Sequence, residues 1–228
     1  MSVKAPVTGV DWEQNLNAAI KLIQENDRFL FAASLDPDSV GSMLSLALYL
    51  RLIGKKKVFL VMKDQLGANF DFLHKIIVHN KIDVISSLPG LKKIKDEVDL
   101  VMFFDTPNAR LLPFYKDISE VFLSRPMPVI ETDHHFGADS EELSADSIKL
   151  YRKANANAEI VAEMLARTGE KRHVASTYQM LVEALESSAG QQQVYVLGRT
   201  YQTVQGQGHA ADHGVGDLFL WQALSQVA

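Results

Sequence analysis

The sequence predicts an α/β protein, a mostly parallel sheet flanked by helices on both faces in the Rossmann-like manner. Three observations predict it. Segments of helical period alternate with short apolar runs along the first two thirds of the chain. The apolar runs are near-continuous rather than alternating, as strands buried on both faces must be. Acidic and imidazole residues then gather where those runs stop, the carboxyl ends at which open parallel sheets collect ligands.

Each element has its own signal. Trp12, Leu16, Ala19, Ile20 and Ile23 stand at helical spacing within residues 11–26, and Phe29 to Ala33 reads as a short buried strand. After Asp36-Pro37-Asp38-Ser39-Val40-Gly41-Ser42 the segment Met43 to Ile53 is rich in Leu and Ala and poor in β-branched residues, so it is read as a helix, stopped by Gly54-Lys55-Lys56-Lys57 before a strand from Val58 to Met62. The pattern repeats as a helix over Phe70 to Val78, a strand over Ile82 to Ile85, a short helix over Leu91 to Lys95 and a strong strand over Val98 to Phe104. Val121 to Leu123 and Val129 to Glu131 complete the expected strands, on either side of Ser124-Arg125-Pro126-Met127-Pro128.

Composition narrows the function. The 228 residues and 47% hydrophobic content suffice for a substantial core. A formal charge of −5 argues against holding long nucleic acid by phosphate neutralisation alone, and a local basic groove for a short anion stays open. The chain has no cysteine, so disulfides and thiolate zinc sites are excluded and any metal must be held by imidazole and carboxylate, ligands that suit manganese, magnesium or zinc. The start of the chain has no signal-peptide pattern, and no apolar stretch approaches the roughly 20 residues that span a bilayer. A cytoplasmic protein with no membrane partner is expected.

A composition break follows Arg172. Residues 173–228 hold nine of the twelve Gln but only Arg199 among the 23 Lys and Arg. We therefore divide the chain into a domain at 1–172 and an atypical Gln/Gly-rich C-terminal tail at 173–228. A change of reading frame or a truncation would produce the same break.

The chemistry sits in three places. Thr132-Asp133-His134-His135 sets two imidazoles behind a carboxylate at the end of an apolar run; Asp36 and Asp38 follow the strand at Phe29; Asp105 follows the strand ending at Phe104. Taken singly, each has a bland explanation. Asp36 and Asp38 suit the capping of a helix starting near Val40, Asp105-Thr106-Pro107-Asn108 suits a turn, and two neighbouring histidines can be surface residues. His74 and His79 fall on a predicted helix and are assigned to the surface, as is Arg110.

Taken together, the pieces resemble the DHH phosphoesterase family, named for the run that occurs here as Asp133-His134-His135. The family's first motif is matched by Asp36-Pro37-Asp38-Ser39-Val40-Gly41-Ser42 and its second by Asp105-Thr106-Pro107-Asn108. Its Ala-rich approach to a helix that begins Glu-Ile-Val is matched by Ala154 to Val161. Order and spacing agree over residues 29–165.

The resemblance implies a parallel sheet between helices and hydrolysis of phosphoesters or phosphoanhydrides with two divalent metals, commonly Mn2+, with Mg2+ as the other candidate. Two metals would neutralise the phosphoryl oxygens and supply hydroxide near neutral pH. By the family pattern Asp36 and Asp105 would hold one ion. Asp38, Asp105 as a bridge and His134 would hold the second. His135 would face the scissile phosphate, and Asp133 would orient its neighbours. The implied partner is a small phosphorylated substrate or short nucleic acid: a nucleotide, a short oligonucleotide or a cyclic dinucleotide. A homo-oligomer is left open.

Two departures weigh against full activity. The family's usual His four residues before the first motif Asp is Ala32 here, and no strand followed by Asp-Thr-Gly supplies a fourth motif; Asp212 and Asp217 are poor substitutes. A degenerate, non-catalytic domain that binds nucleotide or a protein partner is the competing reading. Gly206-Gln207-Gly208-His209 bears only a faint likeness to the Gly-Gly-Gly-His signature of the family's second domain, and His173, His209 and His213 are assigned no role.

Overall fold

A computed structural model describes residues 3–55, 57–62 and 71–168. Six strands form one sheet: β1 (Arg28–Ala33), β2 (Lys57–Val61), β3 (Asp83–Ile85), β4 (Leu100–Phe104), β5 (Val129–Asp133) and β6 (Ile148–Tyr151). Their order is β3-β2-β1-β4-β5-β6 and every pairing is parallel. The chain runs outward from β1 to β3, then crosses to β4 on the other side, so the direction of winding reverses between β1 and β4. In open parallel sheets such a reversal is where ligands collect, outside the carboxyl ends of the two strands.

Successive strand residues point to opposite faces, and the two faces are filled by different helices. Phe29, Phe31, Ala33, Leu60, Met102, Phe104 and Ile130 pack against α1 (Gly9–Glu25), α2 (Pro37–Leu52), α3 (Asp71–His79) and α6 (Asn157–Thr168). Leu30, Ala32, Phe59, Val61, Val101, Phe103 and Val129 pack against α4 (Leu88–Lys93), α5 (Tyr115–Ile118) and the turn of wide helix that prolongs it through Leu123. Aromatic edges lock the first face, with Phe31 and Phe104 centroids 5.0 Å apart. Truncating a fully buried ring such as Phe31 to Ala should cost about 3–5 kcal/mol.

α2 is the helix nearest the chemistry. Asp36 caps it, its Oδ1 accepting from the backbone N–H groups of Asp38 and Ser39 at 3.0 Å each, while Ser39 reciprocates toward the Asp36 backbone. Pro37 occupies the first turn, where its missing N–H costs nothing. The helix therefore begins well before the Leu/Ala run at Met43. From Val40 to Leu50 it is buried all round, as a helix held between a sheet and α6 must be.

Elsewhere the structure corrects the sequence reading. Val121 to Leu123 is helical and not a strand: Val121 and Phe122 bury into the second face, and the Ser124 hydroxyl donates to the Glu120 carbonyl at 2.8 Å. Three apolar residues are too few for periodicity to separate strand from helix. The sixth strand, at Ile148–Tyr151, had no assignment in the sequence; its Lys149 and Ser147 disguise an edge strand with only its last two residues buried. The tail at 173–228, with its His, Asp and Gly candidates, lies outside the described residues.

Candidate metal centre

The predicted residues meet on one rim. β1 leads to Asp36 and α2 delivers Asp38; β4 ends at Phe104 and leads into Asp105; β5 ends at Asp133 and leads into His134 and His135. His134 Nε2 lies 3.3 Å from Asp105 Oδ1 and 3.5 Å from Asp38 Oδ2. His135 Nδ1 lies 3.4 Å from the same Asp105 oxygen. The two imidazoles are tilted against each other with centroids 4.2 Å apart.

Asp105 is the centre of the arrangement. It adopts φ 48°, the left-handed region that Asp and Asn tolerate better than other side-chain-bearing residues. Its backbone is pinned there: Asp105 N–H donates to the Thr132 carbonyl at 2.8 Å, and its own carbonyl accepts from the Ser34 hydroxyl at 2.7 Å. The side chain is 2% exposed, and its Oδ1 has no hydrogen-bond donor in proper geometry although two ring nitrogens stand within 3.4 Å. Burial pushes the Asp105 carboxyl up to about 6; His134 opposes this, and the charges of Asp38 and Asp36 add to it.

His134 is held on its other side by the Ala154 carbonyl, 3.1 Å from Nδ1. A carbonyl can only accept, so Nδ1 carries a hydrogen and Nε2 is the nitrogen turned toward the carboxylates. Asp105 raises the His134 ring to about 9, and the Ala154 carbonyl acts in the same direction against the effect of burial. His135 is also raised, chiefly by Asp133, whose Oδ1 sits 2.8 Å from Nδ1. With Nδ1 committed to Asp133, the Nε2 of His135 is the nitrogen left unengaged.

Asp133 does not reach the cluster itself. Its Oδ1 accepts from the backbone N–H groups of His134 at 2.8 Å and His135 at 3.1 Å as well as from the His135 ring. Its Oδ2 accepts from the ammonium of Lys4, a residue that sequence reasoning passes over. Burial pushes the Asp133 carboxyl up, but His135 and Lys4 outweigh it and hold the group below the usual carboxylate range. Lys4 is 5% exposed and also donates to the Thr106 carbonyl. The only clue in the sequence is a lysine within an otherwise uncharged N-terminal stretch.

Asp36 and Asp38 are both helix caps, and each caps a different helix. Asp36 spends its carboxylate on the start of α2 and on the Ser34 hydroxyl at 2.8 Å, and it is not among the groups brought within ligating distance of one another. Asp38 accepts from the backbone N–H groups of Asn157 at 2.7 Å and Ala158 at 3.0 Å, closing the amino end of α6 against the cluster. The Ala-rich segment is thus carried to the site by Asp38. Ala32 is fully buried in β1 and offers only a methyl group. His74 and His79 are exposed on α3, as expected.

A carboxylate oxygen and two imidazole nitrogens, one from each of Asp105, His134 and His135, lie within 4.8 Å of one another. A buried carboxylate oxygen facing His134 Nε2, with an Asp38 oxygen on the same nitrogen, is an arrangement that a divalent cation with mixed nitrogen and oxygen ligands would complete. The donors fit such an ion.

A search of curated protein sequences finds no match. An exopolyphosphatase-related protein from Bacteroides fragilis is similar in structure, with TM-score 0.56 and 17% identity over 97% of this chain and 58% of its own. RecJ from Thermus thermophilus, determined in complex with Mn2+, aligns with TM-score 0.36 and 11% identity over 98% of this chain and 38% of its own. The chain therefore spans little more than half the length of the first protein and less of the second. Among the described residues no helix is long and apolar enough to cross a membrane. The model of the DHH family N-terminal domain matches residues 30–189, more than half of the chain and inclusive of the whole rim from β1 to α6; this protein belongs to the DHH family.

Proposed function

We propose that this protein is a metal-dependent phosphoesterase whose catalytic unit is the domain at 1–172, and that its substrate is a small nucleotide, a short oligonucleotide or a cyclic dinucleotide. The observation that carries the proposal is the convergence of the buried Asp105 carboxylate, His134 Nε2 and the Asp38 carboxylate, with His135 alongside, at the rim shared by β1, β4 and β5. Holding two carboxylates and two imidazoles this close in a buried setting is costly, and such clusters of perturbed groups collect at functional sites.

Asp38, Asp105 and His134 would hold one divalent ion, Mn2+ being the first candidate and Mg2+ the second; a second ion on Asp36 and Asp105, as the family pattern has it, would require Asp36 to leave its cap on α2. When bound, such ions neutralise phosphoryl oxygens and acidify water. The chain's own groups do the rest. His134 presents Nε2 because Ala154 engages Nδ1. His135 keeps Nε2 toward the substrate side, where it binds a phosphoryl oxygen or holds a proton. Asp133 fixes that ring and does not touch the reacting atoms.

The test is turnover of a phosphodiester reporter and of pyrophosphate by purified protein with Mn2+. Activity that requires the ion and disappears in Asp105→Asn supports the reading. A second reading has one observation in its favour, the buried methyl of Ala32 where the family pattern has an imidazole. On that reading the domain binds nucleotide or a protein partner without turnover. Nucleotide binding by calorimetry with no turnover under either Mn2+ or Mg2+ would select it.

A further inference from the structure

We infer that Lys4 is a positioning residue for the site, holding Asp133 so that His135 is fixed in one tautomer and tying the Asp105 turn to the Asp133 strand end. The inference rests on the proposed phosphoesterase reading only for its effect on turnover.

The N-terminal segment is laid across the edge of the rim by backbone bonds. Val3 bridges to Glu141, Lys4 N–H donates to the Ser140 carbonyl at 3.1 Å, and Val7 N–H donates to the Tyr151 carbonyl at 2.7 Å. This sends the Lys4 side chain inward, over the Tyr151 ring with its ammonium 5.0 Å from the centroid. The side chains of Lys4 and Asp133 are each 1% exposed. A lysine buried to that degree needs strong partners, because taking an ammonium out of water without hydrogen-bond acceptors is costly.

Both partners belong to the site. One ammonium donor goes to Asp133 Oδ2, leaving Oδ1 to receive the two backbone N–H groups and the His135 ring. Another goes to the carbonyl of Thr106, the residue directly after Asp105. The Thr106 hydroxyl in turn accepts from Ser34 N–H at 3.1 Å and donates to the Phe104 carbonyl at 2.8 Å. One cation thereby joins the strand end that bears Asp105 to the strand end that bears the histidines. With Oδ2 held by the ammonium, Asp133 turns Oδ1 to Nδ1 of His135, and an oxygen facing Nδ1 places the ring hydrogen there and leaves the lone pair on Nε2.

The experiment exploits the absence of cysteine from this sequence. Lys4→Cys is alkylated in denaturant with 2-bromoethylamine, which restores an ammonium at lysine length, or with 1-bromopropane, which restores the length alone; both are refolded beside wild-type protein taken through the same cycle. Two quantities are read. The first is the tautomer of His135 from the nitrogen shifts of metal-free protein with the ring neutral. The second is kcat and KM for the phosphodiester reporter with Mn2+.

The aminoethyl form should match wild type in both. The propyl form should show a mixture of His135 tautomers and a kcat lower by about 100-fold, the usual penalty for a reacting group displaced by about an ångström, with KM within about twofold. A propyl form with a single Nδ1–H tautomer and undiminished kcat would overturn the inference, as would a propyl form that fails to fold, since Lys4 would then be structural. If wild-type protein turns over nothing, the functional reading fails while the tautomer comparison still decides the role of Lys4.

Discussion

Loading this site with Mn2+ at pH 7.5 should release close to one proton per His134-bound ion. In the metal-free protein Asp105 holds the His134 ring at about 9. The imidazolium therefore outnumbers the neutral ring by about 30 to 1 at that pH, and the nitrogen facing the carboxylates must lose its hydrogen before it can ligate. Asp105, at about 6, is already ionised and contributes almost nothing to the release. Removing the proton weakens apparent affinity about 30-fold relative to high pH, or about 2 kcal/mol. Affinity should rise about tenfold per pH unit from 6.5 toward 8.5 and level off near 9. Calorimetry in two buffers of different ionisation enthalpy at one pH measures the proton count directly. A binding enthalpy independent of the buffer would refute the reasoning, because His134 would then not be the protonated ligand described.

Other expectations follow from the same geometry. The stability of the metal-free fold should fall as pH rises from 5 to 9: Asp105 and His134 both have raised folded values, so each binds protons more tightly in the native state, and the His134 contribution is fully present below 6.5 and lost through about 9. Thermal melts across that range, with and without Mn2+, should show the decline and its reversal by the ion. Asp105→Asn should abolish Mn2+ binding and turnover yet keep the native circular dichroism, because Asn accepts the left-handed φ of 48° that Ala would resist. Asp38→Ala should lower metal-free stability by about 1 kcal/mol through loss of the α6 cap, a change visible in urea titration without any metal. Glu131→Gln should cost about 1–3 kcal/mol, since the buried Glu131 carboxylate accepts from Leu143 N, Ser144 N, Ser147 Oγ and Tyr151 Oη and an amide NH2 would face donors; the melting temperature reports it.

Much of this was legible in the chain. Phe29 to Ala33 and Val98 to Phe104 announce central strands because they are apolar on both sides of the pleat, and they flank the point where the winding reverses. Asp105, Asp133, His134 and His135 could be placed because a parallel strand's end is a fixed point of the fold. Asp38 could be placed on the rim, but its bond to α6 could not be read, because that contact joins residues over a hundred positions apart. Lys4 was hidden for the same reason: its partners lie over a hundred positions away, and an isolated lysine among uncharged residues is a weak signal of burial. β6 was missed because an edge strand with one polar side lacks the continuous apolar run of its neighbours.

The distance along the chain between the groups of the rim has a consequence for how the protein comes into being. An ion can be gripped only after β1, β4 and β5 have aligned, and loop closure over such separations is the slow part of building a parallel sheet. A divalent ion bound here would therefore join a finished scaffold and could not nucleate it, unlike the metal of a zinc finger. Chelation should silence this protein without melting it, and refolding from urea should proceed at the same rate in the presence or absence of the cation.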